Sequence, residues 1–172
     1  MKKLLLCILV SASLIACKNQ ETKEINNAAN PNQDGITISK STNIDIVKEI
    51  NEDLAAFDFA KLRSHYTDSS NVHDNLIIQQ IDTNLATFIP MKNAGIKFSI
   101  EGEPLVFEII NNKPDSITGY TNYVDTYYTF SVNKGNVKKI FKLNQVFAMK
   151  DGKVLEEWDV YDTSPIIEMM KK

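Results

Sequence analysis

The chain has 172 residues, 43% of them hydrophobic and 24% charged, with a formal net charge of −3. That length supports one domain with a real core, and that charge excludes a nucleic-acid grip, which needs clustered Lys and Arg. The two cysteines, Cys7 and Cys17, both precede the rest of the chain, which therefore holds no disulfide, no thiol nucleophile and no cysteine-ligated zinc.

The first 17 residues, MKKLLLCILVSASLIAC, run from two lysines through an apolar stretch to small residues. The stretch is short for a transmembrane helix and has the layout of a secretory signal peptide. Leu14-Ile15-Ala16-Cys17 resembles the lipobox of bacterial lipoproteins. The resemblance implies a signal peptide over residues 1–16 and a lipid on Cys17. The protein would then be exported to the bacterial cell envelope and held on a membrane by acyl chains, each buried CH₂ contributing about 0.8 kcal/mol. Residues 17–42 form the expected tether, because they are rich in Asn, Gln, Lys, Glu and Ser with few apolar side chains. The folded domain is expected over residues 43–172.

Val47, Ile50, Leu54 and Phe57 are spaced 3, 4, 3 and predict one face of an amphipathic helix. Thr42 or Asn43 can cap it, with Asp45 in its first turn. Asp58 can cap a short second helix that turns Phe59, Leu62 and Tyr66 inward. The string DSSNVHD, residues 68–74, reads as a turn and a short strand. Ile78, Ile81, Leu85 and Phe88 then repeat the helical spacing, with Pro90 and the NAG at 93–95 as its end or kink. After Gly95 the period changes to two, and strand-like runs rich in Val, Ile, Phe, Tyr and Thr extend to residue 162. The turns NKGN and KDGK imply antiparallel hairpins. Helices followed by a long antiparallel meander give an α+β domain with its helices packed on one face of a curved sheet.

Two strands carry the chemistry. Phe141, Leu143, Gln145, Phe147 and Met149 share one face, so Gln145 is a polar group in an apolar stripe. It either bonds a neighbour or reaches a ligand, since an unpartnered buried amide costs about 1–3 kcal/mol. In EEWDVYD, residues 156–162, alternation places Leu155, Glu157, Asp159 and Tyr161 on one face and Val154, Glu156, Trp158, Val160 and Asp162 on the other. Hydrophobicity alone turns Val154, Trp158 and Val160 inward.

The element order and the strings AAFDFAKLRSHYTDSSNVHD, QVFAMKDGKV and EEWDVYD resemble the nuclear transport factor 2-like superfamily in its SnoaL-like branch, over roughly residues 43–165. The resemblance implies a cone-shaped pocket between the helices and the concave face of the sheet. It turns Leu155, Glu157, Asp159 and Tyr161 toward that pocket. By similarity to ketosteroid isomerases, Asp74 falls on the general base, Gln145 on an oxyanion donor and Tyr161 on an aromatic wall. By similarity to limonene epoxide hydrolases, Asp159 falls on an acidic catalytic residue. Both sets are incomplete: the isomerases' oxyanion tyrosine falls near Ile50, and the one arginine, Arg63, lies on the second helix rather than beside an acid on a strand. Trp158 is left on the convex face, where a large apolar side chain marks a partner surface and a homodimer is expected.

His65 and His73 are the only histidines, and their spacing matches no metal site. No Gly-rich phosphate motif and no nucleophile elbow occurs, so neither metal nor cofactor is expected. What remains is the constellation Asp74, Gln145, Glu157, Asp159 and Tyr161. Carboxylates crowded in an apolar pocket have raised pKa values and become bases near neutral pH; at an open mouth they are merely solvated. Three functions follow: a tethered domain that binds a small, partly apolar molecule through Gln145, Glu157 and Tyr161; an isomerase, cyclase or hydrolase using Asp74 or Asp159 as base; and a dimeric scaffold with a vestigial pocket. The incomplete catalytic sets weigh toward binding. The anchor is directly testable. Replacing Cys17 with Ser should move the protein from the detergent to the aqueous phase on partitioning, and unchanged partitioning would exclude Cys17 as the anchor.

Overall fold

A computed structural model describes residues 34–171; the expected signal peptide, Cys17 and the tether as far as residue 33 lie outside the described residues. The elements are β1 (Gly35–Ile38), α1 (Thr42–Ala56), α2 (Phe59–Ser64), β2 (Tyr66–Asp74), β3 (Ile77–Gln80), α3 (Ile81–Asn93), β4 (Lys97–Ile100), β5 (Leu105–Asn111), β6 (Asn122–Lys134), β7 (Val137–Lys150), β8 (Lys153–Tyr161) and α4 (Ser164–Met170). They make an α+β domain whose eight strands form one curved sheet in the order β1-β5-β6-β7-β8-β2-β3, with β4 also beside β6.

The sequence expectation needs three corrections. Residues 35–38 are not tether: they pair antiparallel with β5, Gly35 opposite Asn111. Gly35 suits this close pairing because a Cβ there would run into the backbone carbonyl of Ile110. The sheet is not purely antiparallel either, since β2 joins β8 in parallel. Finally, α3 begins at Ile81 rather than near Ile78, which lies on β3 at 66% exposure. Pro90 lies inside α3, which ends at Asn93, the first residue of the NAG string, as expected.

Local chemistry explains most boundaries. Ser41 caps α1, its hydroxyl accepting from the Ile44 amide at 3.1 Å. Phe57 ends that helix in the left-handed region at φ 53, and the next residue, Asp58, caps α2 by accepting from the Lys61 amide at 3.2 Å. Ile44, Val47 and Ile50 of α1 are buried and belong to the same core as Phe98, Phe130, Phe141 and Leu143 of the sheet. The rings of Phe57 and Phe98 lie 5.4 Å apart, and those of Phe130 and Phe141 stack at 5.8 Å.

The mixed pattern of β8 has a geometric cause. Phe147 opposes Glu157 and Ala148 opposes Glu156, but Met149 opposes Val154. Leu155 is therefore an extra residue in a β-bulge, and the two-residue period restarts after it. Val154 is fully buried before the bulge, and Glu157 is buried after it. Leu155 leaves the inner face, contrary to the sequence expectation, while Asp159 and Tyr161 share the inner face with Glu157. Trp158 lies outside, stacked on His73 of β2 at 5.2 Å.

Candidate functional site

The helices α1, α2, α3 and α4 cover the inner face of the sheet and leave a cavity of about 50 Å³. At about 10–15 Å³ per water, that is room for three or four water-sized groups. All five residues expected from the sequence, Asp74, Gln145, Glu157, Asp159 and Tyr161, line it. Adjacent strands bring them together: Asp74 on β2 opposes Asp159 on β8, which opposes Gln145 on β7. The hairpin after Asp74 is tied to the same strand, because the Asn75 amide donates to the Asp159 carbonyl at 2.9 Å and the Tyr161 amide donates to Asn75 Oδ1 at 3.3 Å.

Glu157 is the best-held group. It is 5% exposed, not solvated at an open mouth. Gln145 Nε2 donates to its Oε1 at 2.9 Å, and the Tyr66 hydroxyl donates to its Oε2 at 2.6 Å. Tyr66 was read from the sequence as an inward residue of the second helix; it is instead the first residue of β2, and its role at the acid was not visible. The two residues could not be associated because their contact spans 91 positions of sequence and the parallel β2–β8 junction.

Burial raises the pKa of Glu157, while donors from Tyr66, Asp159 and Gln145 oppose the rise. Asp159 is raised further, first by burial and then by the adjacent Glu157 carboxylate. Of the two acids, Asp159 is the one pushed further toward its protonated form. Burial and Glu157 also hold Tyr66 well above the ordinary phenol range. Burial first, then Asp74, does the same for Tyr161. Both phenols therefore stay donors. In the cavity lining, two buried oxygens have no hydrogen-bond partner, Gln145 Oε1 and Asp159 Oδ1. The acids sit amid apolar side chains from every helix and from Phe98, Phe130, Phe141 and Leu143.

The two other features weighed in the sequence fall elsewhere. Arg63 pairs with Asp82 at 2.7 Å and Asp68 at 2.9 Å, outside the cavity lining. Among the described residues, no group of three His, Cys, Asp or Glu side chains is placed to hold a metal ion.

No family model and no curated protein matches the sequence, but many solved structures share its fold. PrhC from Penicillium brasilianum is 11% identical with a TM-score of 0.57, over 76% of this chain and 86% of its own. An NTF2-like protein of unknown function from Burkholderia pseudomallei is 14% identical with a TM-score of 0.55, over 77% of this chain and 100% of its own. An LEH-like epoxide hydrolase from M. tuberculosis is 16% identical with a TM-score of 0.51, over 76% of this chain and 90% of its own. The domain therefore has the nuclear transport factor 2-like cone fold, and at these identities the likeness is one of fold.

The acid pair makes stability depend on pH. A carboxyl whose pKa is raised by folding contributes stability that is complete below the unfolded value of about 4 and is lost as pH rises through the folded value. Wild-type unfolding free energy should therefore decline as pH rises above about 4. Asp159→Asn cannot ionise, so it should flatten that decline and exceed the wild type in stability at alkaline pH. Urea titrations across the pH range would show it, and an unchanged slope in the mutant would acquit Asp159.

Proposed function

We propose that this domain binds a small, partly apolar molecule in the cavity, with its polar head against Gln145, Glu157 and Asp159, and that Cys17 tethers it to a membrane of the bacterial envelope. The observation that carries the reading is the pair of partnerless buried oxygens, Gln145 Oε1 and Asp159 Oδ1, in a cavity walled mainly by apolar side chains. A buried polar atom without a partner costs about 1–3 kcal/mol, and a ligand head would recover that cost. Titration of the labelled full chain with three-carbon alcohols, amines and acids should shift the resonances of Gln145, Glu157 and Tyr161. A panel in which no member moves them would leave the pocket vestigial.

A catalytic use of the same site is the second reading. Burial and Glu157 push Asp159 toward its protonated form, so the pair can give a proton to a ligand oxygen and take one from a neighbouring carbon. Among the proteins of this fold, an epoxide hydrolase is represented. Asp74 and Asp159 remain the candidate bases of this reading.

The outer face supports a second copy as partner in either case. Trp158 lies between Val146 of β7 and His73 of β2. Around it Val160 is 64% exposed, Ile140 58% and Ile78 66%. Exposed apolar side chains on one sheet face are what supports this reading. A self-complementary sheet face closes as a two-fold dimer. Trp158→Ala should weaken self-association at least about tenfold, the range for a buried aromatic anchor, and leave the melting temperature of the monomer nearly unchanged. Analytical ultracentrifugation measures it, and a wild type that stays monomeric at every concentration would refute the dimer.

A further inference from the structure

The two partnerless oxygens restrict what the pocket can take. Gln145 Nε2 already donates to Glu157, which fixes the amide so that Oε1 faces away from that bond. Asp159 Oδ1 is sealed from solvent without a partner. With Asp159 ionised, both positions accept hydrogen bonds, and together they call for a group that donates at least twice. An alcohol has one O–H, and its lone pairs would face carboxyl oxygens; a carboxylate donates nothing and would be repelled. A primary ammonium has three donors and no acceptor.

The rest of the lining has the matching sign. The titratable groups facing Asp159 are Glu157 and Tyr161 from its own strand and Asp74 and Tyr66 from β2. The helices contribute only apolar side chains and Asn84, and no Lys, Arg or His lines the cavity. The ring of Phe141 lies 5.8 Å from that of Phe130 and 5.9 Å from that of Tyr161. Such ring faces stabilise a nearby cation. Burying an ammonium without anionic partners is prohibitive, but here carboxyls stand within the same small cavity.

We propose that the pocket's ligand is a primary ammonium on an apolar chain, its N–H groups donating to Gln145 Oε1 and Asp159 Oδ1. The inference rests on the binding reading above and names the chemistry of its head group. A cation at this place favours the ionised form of Asp159. Binding therefore releases the proton held by Asp159 to solvent, leaving a carboxylate paired with the ammonium.

Calorimetry on the full chain in neutral-lipid nanodiscs, with empty discs as the blank, tests this with propylammonium, 1-propanol and propanoate, sized to the small cavity. At about pH 7.5 the amine, with an ordinary pKa of about 10.4, is a cation. Propylammonium should bind at least about tenfold tighter than 1-propanol, and propanoate should give no measurable heat. The enthalpy in Tris and in phosphate should differ in the sense of proton release. Asp159→Asn should bring amine and alcohol within about threefold of each other and abolish the buffer dependence. Should 1-propanol bind as tightly as the amine, or protons be taken up, the ammonium assignment fails while the binding pocket stands. If none of the three probes binds, both fail together.

Discussion

Glu157 is a carboxyl group placed where solvent cannot reach it, and the surrounding structure is arranged around that constraint. A buried ion is tolerated only when donors replace its hydration. Tyr66 and Gln145 supply two of them from the strands on either side. The Tyr66 bond requires β2 to lie beside β8, and the Gln145 bond requires β7 on the other flank. The position of Asp159 two residues on follows, and with it the raised pKa of that acid. Core packing gives this arrangement its walls: α1 and α3 bring Ile50, Leu54, Leu85 and Phe88 to the same cavity. The small size of that cavity makes the polar head, rather than bulk, the main determinant of what enters.

Much of this could be read from the sequence because two periods are unambiguous. The apolar stripe of β7 is buried along its length, with Gln145 inside it as alternation requires. Asp58 caps α2 as its residue type predicts. The convergence of Asp74, Asp159 and Tyr161 was legible only through the family resemblance, because alternation in β8 is broken. The bulge at Leu155 inserts one residue, so Val154 and Glu157 face the same way while being an odd number of positions apart. No period of two could show that. Glu157 in particular looks like a surface acid until Tyr66 is placed against it.

The errors share a physical origin in pairing across long sequence separations. β1 is only four residues long and sits in a polar stretch, and it is a strand because β5 offers an edge that accepts it, Gly35 opposite Asn111 and Ile38 opposite Glu108. Likewise Ile77 and Ile78 look like the beginning of a helix, but they pair back onto His73 and Asp74. In both places local composition is overridden by a partner strand.

The β2–β3 hairpin has a consequence for how the protein behaves at high concentration. β3 closes one end of the strand order, and its residues Ile77 and Ile78, with Leu76 at the turn, are 62%, 66% and 98% exposed. A short apolar strand with an open edge is a template for further strands, unlike the charged or bulged edges that block such growth. Contact along the β3 edge adds a strand and presents another, so it has no fixed stoichiometry. The domain thus carries an edge from which pairing propagates. A lysine introduced at Ile77 would put a charge on that edge and suppress this growth.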